Sequence, residues 1–158
     1  MATEIAKAGA KAPLFELLSS TGETINLADY KGSRIVLYFY PRADTPGCTK
    51  EACGFRDAIA GYKKLGVPVF GISPDPVKDV TKFAEKFKLN FPLLADEDHA
   101  VAEKYGVWQE KSMYGKKYFG AARTTFVIDQ DGKIEQVFEK VKPEGHDQAV
   151  LEYLRGGK

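Results

Sequence analysis

Two cysteines stand in the chain, Cys48 and Cys53, and both fall in one stretch running from Pro41, Pro-Arg-Ala-Asp-Thr-Pro-Gly-Cys-Thr-Lys-Glu-Ala-Cys. The dense apolar run Ile35 to Tyr40 precedes it and a helical pattern follows, so a buried strand feeds a helix through a turn bearing Pro and Gly. Cys48, just after Pro46 and Gly47, is expected in the first turn of that helix. Unpaired backbone N–H groups and the positive end of the helix dipole favour an anion there, and the anion a cysteine supplies is a thiolate. A thiolate is the nucleophilic form of sulfur.

Cys53 follows Cys48 by five residues. On a continuous helix that spacing is a rotation of about 140° and a rise of about 7.5 Å. The two Cα atoms are then roughly 8 to 9 Å apart on different faces, too far for a disulfide. A bond between them therefore requires the first turns of the helix to unwind. This separates the pair from Cys-x-x-Cys, whose dithiol exchanges disulfides without remodelling its helix. Two buried structural thiols remain the competing reading of the spacing alone. Thr45, a hydroxyl three residues before Cys48, and Pro41, a ring seven before it, favour chemistry, since an inert core thiol needs neither.

At these residues the chain resembles a known family. Pro-x-x-x-Thr-x-x-Cys, met by Pro41, Thr45 and Cys48, is similar to the active-site signature of the peroxiredoxins, and Pro-Gly-Cys-Thr-x-Glu-Ala-Cys, ending at Cys53, resembles their bacterioferritin comigratory protein or peroxiredoxin Q group. The likeness runs from Ala-Pro-Leu-Phe around Pro13, through Tyr105 to Trp108, to Arg-Thr-Thr-Phe-Val-Ile-Asp at Arg123 to Asp129. It implies a thioredoxin-like fold and thiol-dependent reduction of hydrogen peroxide and alkyl hydroperoxides, with Cys48 as the peroxidatic nucleophile and Cys53 as the resolving thiol. It further implies recycling by thioredoxin or a related dithiol, and a monomer or weak dimer. Arg123, by its residue type and place before a strand, reads as a surface residue; the resemblance makes it the catalytic partner, a permanent cation beside the sulfur. Thr45 would steady the thiolate and orient the peroxide. Glu51, one helical turn beyond Cys48, reads as a dipole or capping contributor, and by similarity orients the arginine.

Composition bounds the alternatives. A chain of 158 residues suits one domain spanning 1–158, and 44% hydrophobic content suits a packed core. A formal net charge of +1 implies no broad field for nucleic acid or a membrane surface. The N-terminal residues carry an acidic side chain and no continuous apolar segment, so no secretory signal is expected, nor a membrane span, and a reducing cytoplasm is the expected location. In that setting two cysteines point to catalysis or metal binding rather than a permanent staple. His99 and His146 are the only histidines and no Cys-x-x-Cys or His-x-x-x-His element exists, so both read as solvent-exposed structural residues. No metal, haem, flavin or other cofactor is expected, because sulfur carries both electrons. Two other functional classes fit such a scaffold: a disulfide exchanger, which the spacing disfavours, and a non-enzymatic interaction module.

The elements that must position these residues follow from pattern. Met1 to Lys11 reads as a loose lead-in, and Leu14 to Leu18 with Thr24 to Leu27 as an N-terminal β-hairpin around Ser19 to Gly22. The strand Ile35 to Tyr40 is apolar on both faces and belongs at the centre of a sheet. Ala52, Phe55, Ile59, Tyr62 and Leu65 recur at helical spacing before Gly66. A strand at Val67 to Ser73 and a helix from Pro74 to Val77 onward come next, followed by a short strand at Phe91 to Ala95 and a short helix at Ala100 to Tyr105. Gly106 to Gly120 lacks a clean period and carries Trp108, Tyr114 and Tyr118, as a binding loop or as aromatics packed on the core. Thr124 to Ile128 and Ile134 to Phe138 flank Asp131-Gly132, a hairpin signal, and a last helix follows Gly145. The fold class expected is α/β: a thioredoxin-like mixed central sheet flanked by helices.

Overall fold

A computed structural model describes residues 4–156 of the chain. Its organising element is the strand β3 (Ile35–Phe39), buried at every position. Alternation sends Val36 and Tyr38 to one face and Ile35, Leu37 and Phe39 to the other, and the two sets belong to two separate core clusters. β3 lies at the centre because both of its faces need cover.

Before it come the short hairpin β1 (Glu16–Leu18) and β2 (Thr24–Asn26) and a 3-10 turn at Leu27–Tyr30. After it the chain runs through α1 (Pro46–Lys64), β4 (Val69–Ser73), α2 (Val77–Lys86), β5 (Leu93–Ala95) and α3 (Ala100–Lys104). It continues as β6 (Trp108–Met113), β7 (Lys116–Ala121), β8 (Thr124–Ile128), β9 (Ile134–Phe138) and α4 (His146–Leu154). The central sheet has the order β5-β4-β3-β8-β9. β3, β4 and β5 are parallel, while β8 runs antiparallel to both β3 and β9. The core side chains of α1, α2 and α4 gather on one face, and those of the N-terminal hairpin and α3 on the other. This is the expected α/β, thioredoxin-like arrangement with its mixed sheet and N-terminal hairpin.

Two registers aim the chemistry. Phe39 pairs with Thr124 across the antiparallel β3–β8 ladder, so Arg123 sits beside the carboxyl end of β3, where the Cys48 turn begins. β4, parallel to β3, delivers Ser73 and then Asp75 to that same end. α1 is held by close approach to α4: a Cβ at Gly54 would lie 2.6 Å from Asp147 Oδ1, and one at Gly61 2.9 Å from Leu151 Cδ2. These glycines, two turns apart, form one face of α1. Tyr62 reinforces the contact, its hydroxyl donating to the Asp147 carbonyl at 2.6 Å.

Three expectations are corrected. The stretch from Gly106 to Gly120 is no loop but mostly the β6–β7 hairpin, closed by Tyr114 and Gly115 with φ of +53° and +78°. Both central residues of this two-residue turn are left-handed, the backbone that continues the twist of paired strands. A tyrosine there carries no hairpin signal. Within the N-terminal lead-in, the described residues are tied down: Ala6 N–H donates to Tyr105 O at 3.0 Å and Gly9 N–H to Ile134 O at 2.7 Å. Residues 1–3 of that lead-in lie outside the described residues. Finally, His146 is buried, with Nε2 2.7 Å from Thr125 Oγ1 and its ring edge-on to Phe55 and Phe138. Burial first, with Arg123's charge adding to it and Asp147 opposing, lowers its pKa to about 4. His99 is partly exposed, stacked on Trp108 at 3.9 Å between ring centroids, with Nδ1 2.7 Å from Glu103 Oε2.

Candidate active site

The site is built where β3 ends. Tyr40 closes the strand; Pro41 to Asp44 form the turn; Thr45 is the N-cap of α1 in extended conformation, with Pro46 at the first helical position. A proline there sacrifices no intrahelical bond. Cys48 is thus the third residue of α1, in the first turn as expected, with only 1% of its surface exposed. The turn is braced from beneath by a residue that the sequence offers no means of singling out. Asp75 Oδ2 accepts from the Ala43 N–H at 2.8 Å and from the Ser73 hydroxyl at 2.8 Å. Asp44 takes a left-handed conformation and pairs with Lys86 Nζ at 2.9 Å.

Arg123 joins two of the singled-out residues. One guanidinium nitrogen donates to Glu51 Oε1 at 2.7 Å and the other to Cys48 Sγ at 3.3 Å. Gly47 makes room for this, since a Cβ there would stand 3.2 Å from the nitrogen that reaches the sulfur. Glu51 lies past the first turn of α1 and is wholly buried, so it serves as the arginine's partner rather than as a cap. Burial drives its pKa up from 4.5 to about 7 against the opposing attraction of Arg123. Burial also works against the Arg123 cation, but the charges of Glu51 and Cys48 more than offset it and raise its pKa. Among the described residues, Glu51 Oε2 and the hydroxyls of Tyr38 and Tyr40 are buried without a hydrogen-bond partner. Burial first, and the charges of Glu51 and Cys48 after it, raise the pKa values of Tyr38 and Tyr40 and keep both phenols neutral.

The remaining expected residues are less closely joined. Thr45 donates its hydroxyl to the Arg42 carbonyl at 3.1 Å and leaves its lone pairs free, and Pro41 is half-buried on the turn. Cys53, partly exposed farther along the intact helix α1, is a free thiol, as is Cys48. No cluster of three His, Cys, Asp or Glu side chains with metal-binding geometry occurs among the described residues. The geometry brings together a sulfur at a helix N-terminus, a guanidinium aimed at it and a buried carboxylate behind, a set suited to nucleophilic attack with developing negative charge under fixed donors.

Comparison with known proteins bears on what that set does. The AhpC/TSA family matches residues 8–137. Peroxiredoxin Bcp of Escherichia coli (strain K12) is 53% identical over 149 residues, which cover 94% of this chain and 96% of that protein. The chain is a peroxiredoxin of the AhpC/TSA family. It is also similar to Peroxiredoxin Bcp of Bacillus subtilis (strain 168), at 46% identity over 93% of this chain and 94% of the relative. Among solved structures, the bacterioferritin comigratory protein of Xanthomonas campestris superposes with a TM-score of 0.89 at 36% identity, covering 95% of this chain and 98% of that one. Peroxidoxin BcpB of Mycobacterium tuberculosis does so with 0.85 at 38%, covering 98% and 99%. This peroxiredoxin is therefore a thiol-dependent peroxidase on a thioredoxin-like fold. None of its described helices is long and apolar enough to cross a membrane.

Proposed function

We propose that Cys48 is the sulfur that attacks the peroxide and that Cys53 resolves the product within the same chain. The Cys48 thiolate attacks the terminal oxygen of hydrogen peroxide or an organic hydroperoxide. An S–O bond forms, the O–O bond breaks, sulfur loses two electrons, and the departing hydroxide or alkoxide takes up a proton to leave as water or an alcohol. Arg123 and the N–H groups of the first helical turn stabilise charge as the O–O bond stretches, and the Thr45 hydroxyl joins them once it turns from the Arg42 carbonyl to the peroxide. Pro41 shields the sulfur on one side. The alkyl peroxide reduction activity attributed to the Xanthomonas campestris relative supports organic hydroperoxides as substrates.

The observation that carries this reading is the Arg123 bridge, one nitrogen on Cys48 Sγ and the other on buried Glu51. Resolution follows from the same bridge. Oxidation of Cys48 to the neutral sulfenic acid removes the anion that Arg123 holds, and weakens the tie between the guanidinium and the first turn of α1. That turn contains Gly47, a residue of low helix propensity. Unwinding then lets the Cys53 thiolate attack the sulfenic sulfur, and hydroxide leaves as water once protonated, giving an intramolecular disulfide. A dithiol of the thioredoxin type reduces it, returning two electrons and two protons. The cycle suits a monomer in a reducing cytoplasm and gives the protein a place in antioxidant defence.

Two variants test the assignment. In an assay of peroxide consumption coupled to a thioredoxin system, Cys48→Ser is inactive. Cys53→Ser completes one oxidation and then stalls. Near-normal turnover of Cys48→Ser, or a disulfide between chains in the wild type, overturns it. Disulfide exchange without peroxide turnover would restore the reading as an exchanger.

A further inference from the structure

A second cation, Lys111 on β6, shares a cleft with Arg123. Lys111 stands opposite Tyr118 in the β6–β7 ladder. Its stem crosses β7 over Gly120, where a Cβ would lie 3.6 Å from Lys111 Cδ and 3.7 Å from Cε. The ammonium ends on the Ala121 carbonyl, donating at 2.6 Å. Ala121 is buried, two residues before Arg123, and its neighbour Ala122 donates its N–H to Val107 O at 2.7 Å. Lys111 is half-buried rather than waving in solvent. Burial and the charge of Arg123 disfavour its cation, and Cys48 favours it. It lines, with Arg123, a cleft of about 510 Å³ whose other charged walls are Glu4, Lys7, Glu139 and Lys140.

We infer that Lys111 is a positioning residue of the peroxidatic centre: tethered on the Ala121 carbonyl, its ammonium presses the Arg123 guanidinium toward Glu51 and Cys48 and adds positive potential at the sulfur. The tether fixes the end of β7 from which Arg123 departs. Like-charge repulsion from Lys111 opposes the pull of Glu4 and Glu139 in the cleft and favours the inward guanidinium, which Glu51 and the sulfur receive. The same potential favours the transition state, in which negative charge spreads from sulfur to the leaving oxygen. The hairpin that carries Lys111 thereby acquires a role in the reaction beyond closing the fold.

The inference rests on Cys48 as the attacking sulfur, and the test separates the two. Fully reduced protein is mixed with hydrogen peroxide at neutral pH, quenched at intervals, and the oxidation of Cys48 is followed by intact mass and peptide mapping in wild type, Lys111→Met, Lys111→Arg and Gly120→Val. Methionine keeps the stem without the charge; arginine keeps charge and donor; valine at 120 sets its γ-methyls against the stem, whose Cδ already lies 3.6 Å from a Cβ there. The expected result is oxidation about tenfold slower in Lys111→Met. Lys111→Arg stays within about twofold of wild type, since a guanidinium also reaches the carbonyl. Gly120→Val is slowed with its lysine intact, and denaturation midpoints confirm that each variant is folded. Wild-type rates in both Lys111→Met and Gly120→Val overturn the inference, as does equal loss in Lys111→Met and Lys111→Arg, the mark of a packing role. Slow oxidation of Cys48 in the wild type itself would instead overturn the assignment of the attacking sulfur.

Discussion

Replacing Glu51 by glutamine should stabilise the reduced protein above neutral pH, although it removes the charge from the most buried ion pair described. Glu51 is wholly buried, and its pKa is raised from 4.5 to about 7 because burial outweighs the attraction of Arg123. A carboxyl whose folded value lies above its unfolded value contributes fully below the unfolded value, and that contribution is lost as pH rises through the folded one. The span between the two values corresponds to about 3 kcal/mol. Glutamine, close in shape to the protonated acid, retains an oxygen for Arg123 and has nothing to ionise. The variant should therefore exceed the wild type by about 1 kcal/mol near pH 5 and about 3 kcal/mol near pH 8.

The wild-type curve alone hides this effect. His146, whose pKa burial lowers from 6.5 to about 4, titrates in the opposite sense, with stability present above 6.5 and lost as pH falls through the folded value. The two slopes nearly cancel across the shared window, and only the difference between wild type and Glu51→Gln isolates the carboxyl. Urea unfolding with reductant present, read by the fluorescence of the single tryptophan, Trp108, measures it. A difference independent of pH, or a variant that loses ground as pH rises, would show that the ion pair outweighs burial and refute the reasoning.

Other expectations follow from the same geometry. Arg123→Met, which withdraws the donor 3.3 Å from Cys48 Sγ, should slow single-turnover oxidation by about 10² to 10³ in rapid-quench kinetics. Cys53→Ser should leave the first oxidation intact and allow a dimedone-type reagent to trap the sulfenic acid, which the wild type consumes as a disulfide. Gly106→Ala sets a Cβ 1.9 Å from the Glu4 carbonyl oxygen at a φ of +75°. It should cost about 1 to 3 kcal/mol and release the segment from residue 4 onward, seen as faster amide exchange at Ala6.

What the sequence disclosed was the local signal around the reactive sulfur. An apolar run on both faces, then Pro and Gly, then a helical period was enough to set Cys48 at a helix N-terminus beside a central strand, and Asp131-Gly132 announced the β8–β9 hairpin. Arg123 emerged only through the family resemblance, because its approach to Cys48 depends on the Phe39–Thr124 register, a long-range pairing that no local pattern encodes. The β6–β7 hairpin carries no such signal, because its turn is Tyr-Gly and much of it is exposed, so no apolar alternation marks the strands. Residues 4–12 are tied largely by backbone hydrogen bonds, which leave no side-chain signature. His146 is buried by its approach to Thr125 on β8, and Asp75 and Lys111 act through single tertiary contacts. Each of these depends on distant segments meeting, and residue type alone carries none of them.

The central claim, that Cys48 is the peroxide-reactive sulfur and Cys53 its resolving partner, is tested most directly by mixing fully reduced protein with one equivalent of hydrogen peroxide and mapping the product by stopped flow, intact mass and peptide analysis. The account predicts rapid reaction that ends in a Cys48–Cys53 disulfide within one chain. Reaction at the rate of an ordinary free thiol, or oxidation that begins at Cys53, would contradict it.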